Sequence, residues 1–126
     1  MLKLVYVAGP YRASTAWGVE CNIVAARKLG AKVAQAGAYP VIPHSNTAHF
    51  DGLGTDELWL GGTLELMRRC DAVIFMPDWQ RSRGAVEEHT EAKRRGLRCF
   101  FTVDELRHWL ETDKVLGHWF GEEPRP

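Results

Sequence analysis

The sequence predicts an α/β fold, a three-layer sandwich around a small parallel sheet of four or five strands. Three observations predict it. Short β-rich runs alternate with longer segments whose apolar residues recur at helical spacing. Each run closes on glycine, proline or a polar turn. With 126 residues, 45% of them hydrophobic, the chain fits one compact domain over residues 1–126 with a core of its own. Strands that alternate with helices pair in parallel through right-handed crossovers, and helices then cover both faces of the sheet.

The first run, LKLVYVA at 2–8, reads as a buried strand ended by Gly9-Pro10. A helix over about 18–36 follows, with Val19, Ile23, Ala26, Gly30 and Val33 on one stripe and Gly37 placed to stop it. AYPVI at 38–42 is a second strand, and Pro43-His44 opens a loop. A second helix spans about 55–69, with Gly61-Gly62 as a potential break. DAVIFM at 71–76 is a buried strand ended by Pro77. A helix over about 84–95 stops at Gly96, LRCFFT at 97–102 is the fourth strand, and DELRHWLET begins a C-terminal helix. The last residues, GEEPRP, read as frayed.

Sixteen basic residues balance sixteen acidic ones, so no overall field draws the chain to a nucleic-acid polymer or a membrane surface. Cys21, Cys70 and Cys99 are scattered and odd in number, which argues for buried free thiols rather than disulfides or a zinc site. The apolar N-terminal run is too short for a signal peptide or a membrane span. A soluble, cytoplasmic protein is expected, using neither metal nor organic cofactor.

Parallel sheets bind ligands beyond the carboxyl ends of their strands, where strand order reverses. That rule selects the loops 9–17, 43–55 and 77–83. In the first, Gly9 permits close backbone approach, Arg12 offers a planar fork of donors, and Ser14 and Thr15 supply hydroxyls for an anion or for a helix cap. In the second, His44 and His49 suit hydrogen bonding better than metal ligation, and His44, soonest after its strand, is the better ligand contact; Asn46 is a further polar candidate. The third leads into a helix whose small-residue stripe is Ala85, Ala92 and Gly96. At about 100° per residue Glu88 lies roughly 60° from the stripe's centre, while Glu87 and Glu91 point largely away. Glu88 therefore flanks the packed face, in the first turn, where the helix dipole favours its ionised form.

The ordered set VYVAGPYR, CDAVIFMPDW and Ser82, Gly84, Glu88, Ala92 resembles the nucleoside 2-deoxyribosyltransferase superfamily over about residues 3–102, and especially the 2'-deoxynucleoside 5'-monophosphate N-glycosidases and short bacterial and phage members. The resemblance implies a flavodoxin-like sheet and a retaining mechanism. Glu88 would attack C1' of a (deoxy)nucleoside 5'-monophosphate to form a glycosyl ester, and water would release the sugar. Tyr6 falls where the family has a strand tyrosine bonded to the nucleophile; core packing explains that aromatic equally well. Gly9, Pro10, Tyr11 and Arg12 match the loop that contacts ribose and phosphate, and Ser82 matches the monophosphate hydrolases, where nucleoside transferases carry aspartate. Trp79, in the loop leading to Glu88, is a candidate to stack on the base. The family aspartate eight residues before Asp71 becomes Thr63 here. Asp71 itself opens a strand and suits bonding to backbone amides. Base exchange between deoxynucleosides and a non-catalytic nucleotide-binding module are the alternatives. The family's habit of assembly implies a homodimer or larger homo-oligomer, with Trp109, Trp119 and Phe120 available either for an interface or for covering their own core.

Overall fold

The computed structural model describes residues 1–119, with side-chain surroundings over residues 1–113. Four strands, β1 (Leu4–Ala8), β2 (Tyr39–Val41), β3 (Ala72–Phe75) and β4 (Arg98–Phe100), form one parallel sheet in the order β2-β1-β3-β4. The chain runs outward from β1 to β2 and then crosses back to β3, so strand order reverses between β1 and β3. The result is a flavodoxin-like three-layer sandwich.

Five helices complete it: α1 (Ala16–Ala36), α2 (Pro43–Asn46), α3 (Asp56–Arg68), α4 (Arg83–Arg94) and α5 (Val103–Trp119). Alternation along β1 sorts the core into two. Val5 and Val7 face α1 and α5, packing with Ala26, Val33, Leu106 and Leu110. Tyr6 and Ala8 face α3 and α4, packing with Met67 and Ala92. The register sets Tyr6 between Val41 and Val73, at the centre of the second face.

Helix ends follow local chemistry. Thr15 caps α1 by accepting from Gly18 N at 3.0 Å, and Gly37, at φ 104°, ends it in the left-handed region that side chains avoid. Asp71 accepts from Leu4 N at 2.8 Å, which ties the start of β3 to β1.

The structure corrects several expectations. Pro43 opens α2, a single turn, because a proline fits the first helical position where its missing N–H is not needed. Gly61-Gly62 does not break α3; Thr55 caps that helix, Asp56 and Glu57 complement its dipole, and its packing outweighs a cost of about 1 kcal/mol per glycine. A short 3-10 turn at Trp79–Arg81 was not foreseen. The first strand begins at Leu4, leaving Met1 and Leu2 exposed, and β4 is three residues long. All three cysteines are free, but Cys21 is exposed and Cys99 only half-buried. Trp109 covers its own core, packing on Phe100 at 5.4 Å beneath the Lys3 ammonium. Phe120, the GEEPRP tail and the surroundings of the Trp119 side chain lie outside the described residues. Among the described residues no helix is long and apolar enough to cross a membrane.

Candidate active site

Small residues bring α4 down onto the sheet. Ser82 caps the helix, its Oγ accepting from Ala85 N at 3.2 Å. Ala85, Glu88 and Ala92 form the buried stripe. With alanines on either side, Glu88 is lowered towards β1, where only 6% of it remains exposed. There the Tyr6 hydroxyl donates to Glu88 Oε2.

The electrostatics of this pair follow from burial. Loss of water pushes the Glu88 carboxyl up to about 7, against the opposing pull of the Tyr6 hydrogen bond. Burial first, and the neighbouring carboxylate second, hold the Tyr6 phenol well above its ordinary value, so it remains a donor. Glu88 is the sixth residue of α4. It therefore sits in the second turn, not the first as expected, and the helix dipole acts on it only weakly.

Tyr6 and Glu88 line a cleft of about 710 Å³ at the carboxyl edge of β1 and β3, within the usual range for a small-molecule site. The loop after β1 forms one wall. Gly9 has no room for a side chain: a Cβ would stand 2.2 Å from Met76 Sδ, so the close approach it permits is to β3. Pro10 O accepts from His44 Nε2 at 2.8 Å, and burial lowers the His44 pKa, leaving a neutral ring with the proton on Nε2. Tyr11 Oη accepts from His49 N at 2.9 Å, while Asn22 Nδ2 donates to the Tyr11 and Arg12 carbonyls at 2.9 and 3.4 Å. The loop is thus tied to α1, to α2 and to the segment after it. Arg12, at the mouth, is paired with Asp56 at the start of α3, each depressing or raising the other's proton affinity as an ion pair does. Ser82 and Gly84 line the opposite wall, where nothing but Ser82 Oγ, at 3.9 Å, would approach a Cβ on Gly84.

Nine of the residues singled out in the sequence, namely Tyr6, Gly9, Pro10, Tyr11, Arg12, His44, Ser82, Gly84 and Glu88, line this one cleft. Others do not. Asn46 is exposed at the end of α2, off the cleft. Trp79 is turned away by the 3-10 turn into an aromatic cluster with Phe75, His89 and Phe101, at centroid distances of 5.2, 4.5 and 6.0 Å. Thr15 spends its hydroxyl on the α1 cap, and His49 pairs with Glu20 at 2.9 Å. Glu87 lines the cleft instead of pointing away, and Glu91 binds Arg68, Arg94 and Arg95 at 3.3, 2.5 and 3.2 Å, joining α4 to α3.

The wall given by α3 was missed. Trp59, Leu60 and Thr63 line the cleft, with Phe50 beside Trp59 at 6.4 Å. A signal existed: Leu60, Trp59 and Asp56 lie three, four and seven residues before Thr63, on one helical face with it.

Fold and cleft together define a doubly wound α/β protein with a buried tyrosine–glutamate pair beneath its strand-switch point. A family model described as a domain of unknown function (DUF7768) matches residues 3–102, and the chain belongs to that family. The match takes in all four strands and stops before α5. No curated protein matches the chain.

Proposed function

We propose that the protein is an N-glycosidase that hydrolyses a (deoxy)nucleoside 5'-monophosphate through a covalent glycosyl-Glu88 intermediate. The observation that carries the proposal is the Glu88 carboxylate held by the Tyr6 hydroxyl on the floor of a nucleotide-sized cleft. In this mechanism an Oε of Glu88 attacks C1' as the base departs, and water then cleaves the ester. Tyr6 fixes the carboxylate's rotamer and steadies its charge. Arg81, which ends the 3-10 turn, and Arg83, which opens α4 beside Glu87 at 3.5 Å, line the cleft and attract the phosphate, while the Arg12 fork holds Asp56. The proposal keeps its basis in the resemblance of Ser82, Gly84 and Glu88 to the nucleoside 2-deoxyribosyltransferase superfamily.

The test is to incubate purified protein with ribo- and deoxyribonucleoside monophosphates and chromatograph for free base. Base released by the wild type and not by Glu88→Ala supports the proposal; equal release, or none, contradicts it. An added acceptor base that appears in the product would instead indicate exchange.

Thr63 favours a second reading, a nucleotide-binding module without turnover. It stands in the cleft where the resemblance leads one to expect a carboxylic acid, and its hydroxyl donates to Leu60 O at 3.1 Å. Saturable nucleotide binding with no base released over long incubation would favour that reading. Homo-oligomerisation belongs to the proposal as well, supported by Trp17 and Leu53, exposed at 74% and 75%. A monomeric mass in light scattering contradicts it.

A further inference from the structure

Charge is uneven around the cleft. Arg81, which ends the 3-10 turn, and Arg83, which opens α4 and approaches Glu87 at 3.5 Å, reach it on one side. Asp51, Asp56 and Glu57 reach it from the segment after α2 and the first turn of α3, where Arg12 pairs with Asp56 and leaves acidic charge in excess. On that acidic side stand the two aromatic rings, Trp59 and Phe50, tilted by 57° to one another. Phe50 is 44% exposed and Trp59 half-buried, so ring surface remains open to the cleft. An indole face in a cleft wall that also carries carboxylates attracts a flat cation, and tryptophan is the best of the aromatic residues for it.

The chemistry of the leaving group points the same way. A neutral purine or pyrimidine leaves readily only when its departing nitrogen receives a proton. Thr63 offers a hydroxyl that is engaged with Leu60 O, and Arg12 holds the Asp56 carboxyl below its ordinary range and so ionised. A base that carries a fixed positive charge needs no such proton, because the electron pair of the broken bond neutralises it.

We infer that the substrate is a nucleotide with a cationic base, of the pyridinium class, its phosphate towards Arg81 and Arg83 and its base against Trp59 on the acidic side. This inference rests on the glycosidase reading above and names the substrate class of that same site. In the first step a Glu88 oxygen forms a bond to C1' while the C1'–N bond breaks, and both electrons of that bond pass to the ring nitrogen, which leaves uncharged. In the second step water adds its oxygen to C1', the ester opens, Glu88 regains its carboxylate and one proton passes to solvent. The sum is pyridinium nucleotide plus water giving sugar phosphate, neutral base and a proton.

The experiment compares nicotinamide mononucleotide, AMP and CMP as substrates of the purified protein, with free base read by chromatography. Nicotinamide is expected to be released about 100-fold faster or more than adenine or cytosine, the scale of a missing general acid. Trp59→Leu should raise KM for nicotinamide mononucleotide about fivefold, with little change in kcat or in inhibition by ribose 5-phosphate, which has no base. Asp51→Asn, at an exposed position, should raise KM in the same direction. Adenine release as fast as nicotinamide release overturns the cationic-base inference and leaves the glycosidase standing. Release of no base from any of the three overturns both. Calorimetry on Glu88→Gln protein gives a readout without turnover: AMP bound as tightly as nicotinamide mononucleotide also overturns the inference.

Discussion

The hydroxyl of Tyr6 donates to the Glu88 carboxylate across 82 positions of sequence, joining the central strand to the second turn of α4 beneath the cleft. The bond has two consequences of opposite sign. It lowers the proton affinity of Glu88, yet the burial it accompanies raises that affinity more, leaving the group near 7. A buried carboxylate poised at that value costs stability, a cost the proposed mechanism would turn to use.

Stability should therefore depend on pH through Glu88. The folded protein holds this proton at about 7 and the unfolded chain at about the ordinary value of 4.5. Below the lower value both states are protonated and burial carries no charge penalty; between the two values stability falls as pH rises, and above the upper one the loss is complete. The gap corresponds to about 3 kcal/mol. Glu88→Gln keeps an acceptor for Tyr6 and removes the titration, so its melting temperature should exceed that of the wild type at pH 8, with the difference vanishing near pH 4. Scanning calorimetry at both pH values checks this, and a gap independent of pH would contradict it.

Tyr6→Phe removes the bond that favours the charged carboxylate. The ascending limb of kcat/KM against pH, which should lie near 7 for the wild type, is expected to move to higher pH. At pH 7 the variant should lose about 10- to 100-fold, the range for a hydrogen bond to a charged group. A pH profile that drops without shifting would assign Tyr6 a packing role only.

Gly9 is a packing requirement in this structure. Its Cβ would stand 2.7 Å from Met76 Cβ, an atom that rotation of the methionine cannot move. Gly9→Ala should cost about 1–3 kcal/mol in urea unfolding, and pairing it with Met76→Gly should recover part of the loss. An unchanged midpoint for the single variant would show that β1 and β3 separate more easily than their register suggests.

Trp79 belongs to the cluster with Phe75, His89 and Phe101 and not to the cleft. Trp79→Ala should lower stability by about 2 kcal/mol or more and leave the KM for nucleotide unchanged. A large rise in KM without loss of stability would return Trp79 to the site.

How much of this was legible in the sequence can be traced residue by residue. Gly37 and Gly96 marked helix ends because both take positive φ, at 104° and 71°, where other residues are strained. The stripe of Ala85 and Ala92 located Glu88 because a helix packed on a sheet shows its buried face as a period. Trp79 and Asn46 were misplaced because loop membership says nothing about direction: one side chain is set by a 3-10 turn and the other by the single turn of α2. Glu91, expected to point away, binds across to α3 for a different reason. The wheel measured its angle from the sheet, whereas its partner Arg68 lies on α3, a lateral neighbour at 3.3 Å that periodicity does not reveal. The α3 wall with Trp59 was hidden in the same way, since a ring at helical spacing reads as core until the neighbouring loop is in place.

The most direct test of the account is the covalent bond it assigns to Glu88. Purified protein mixed with a 2-fluoro-2-deoxy nucleoside monophosphate, which slows release of the sugar, is quenched in acid and weighed intact, and its peptides are sequenced by mass spectrometry. The account predicts a gain equal to one fluorinated sugar phosphate, carried by the peptide containing Glu88 and absent from Glu88→Gln. Base release with no adduct, or an adduct on any other residue, would contradict it.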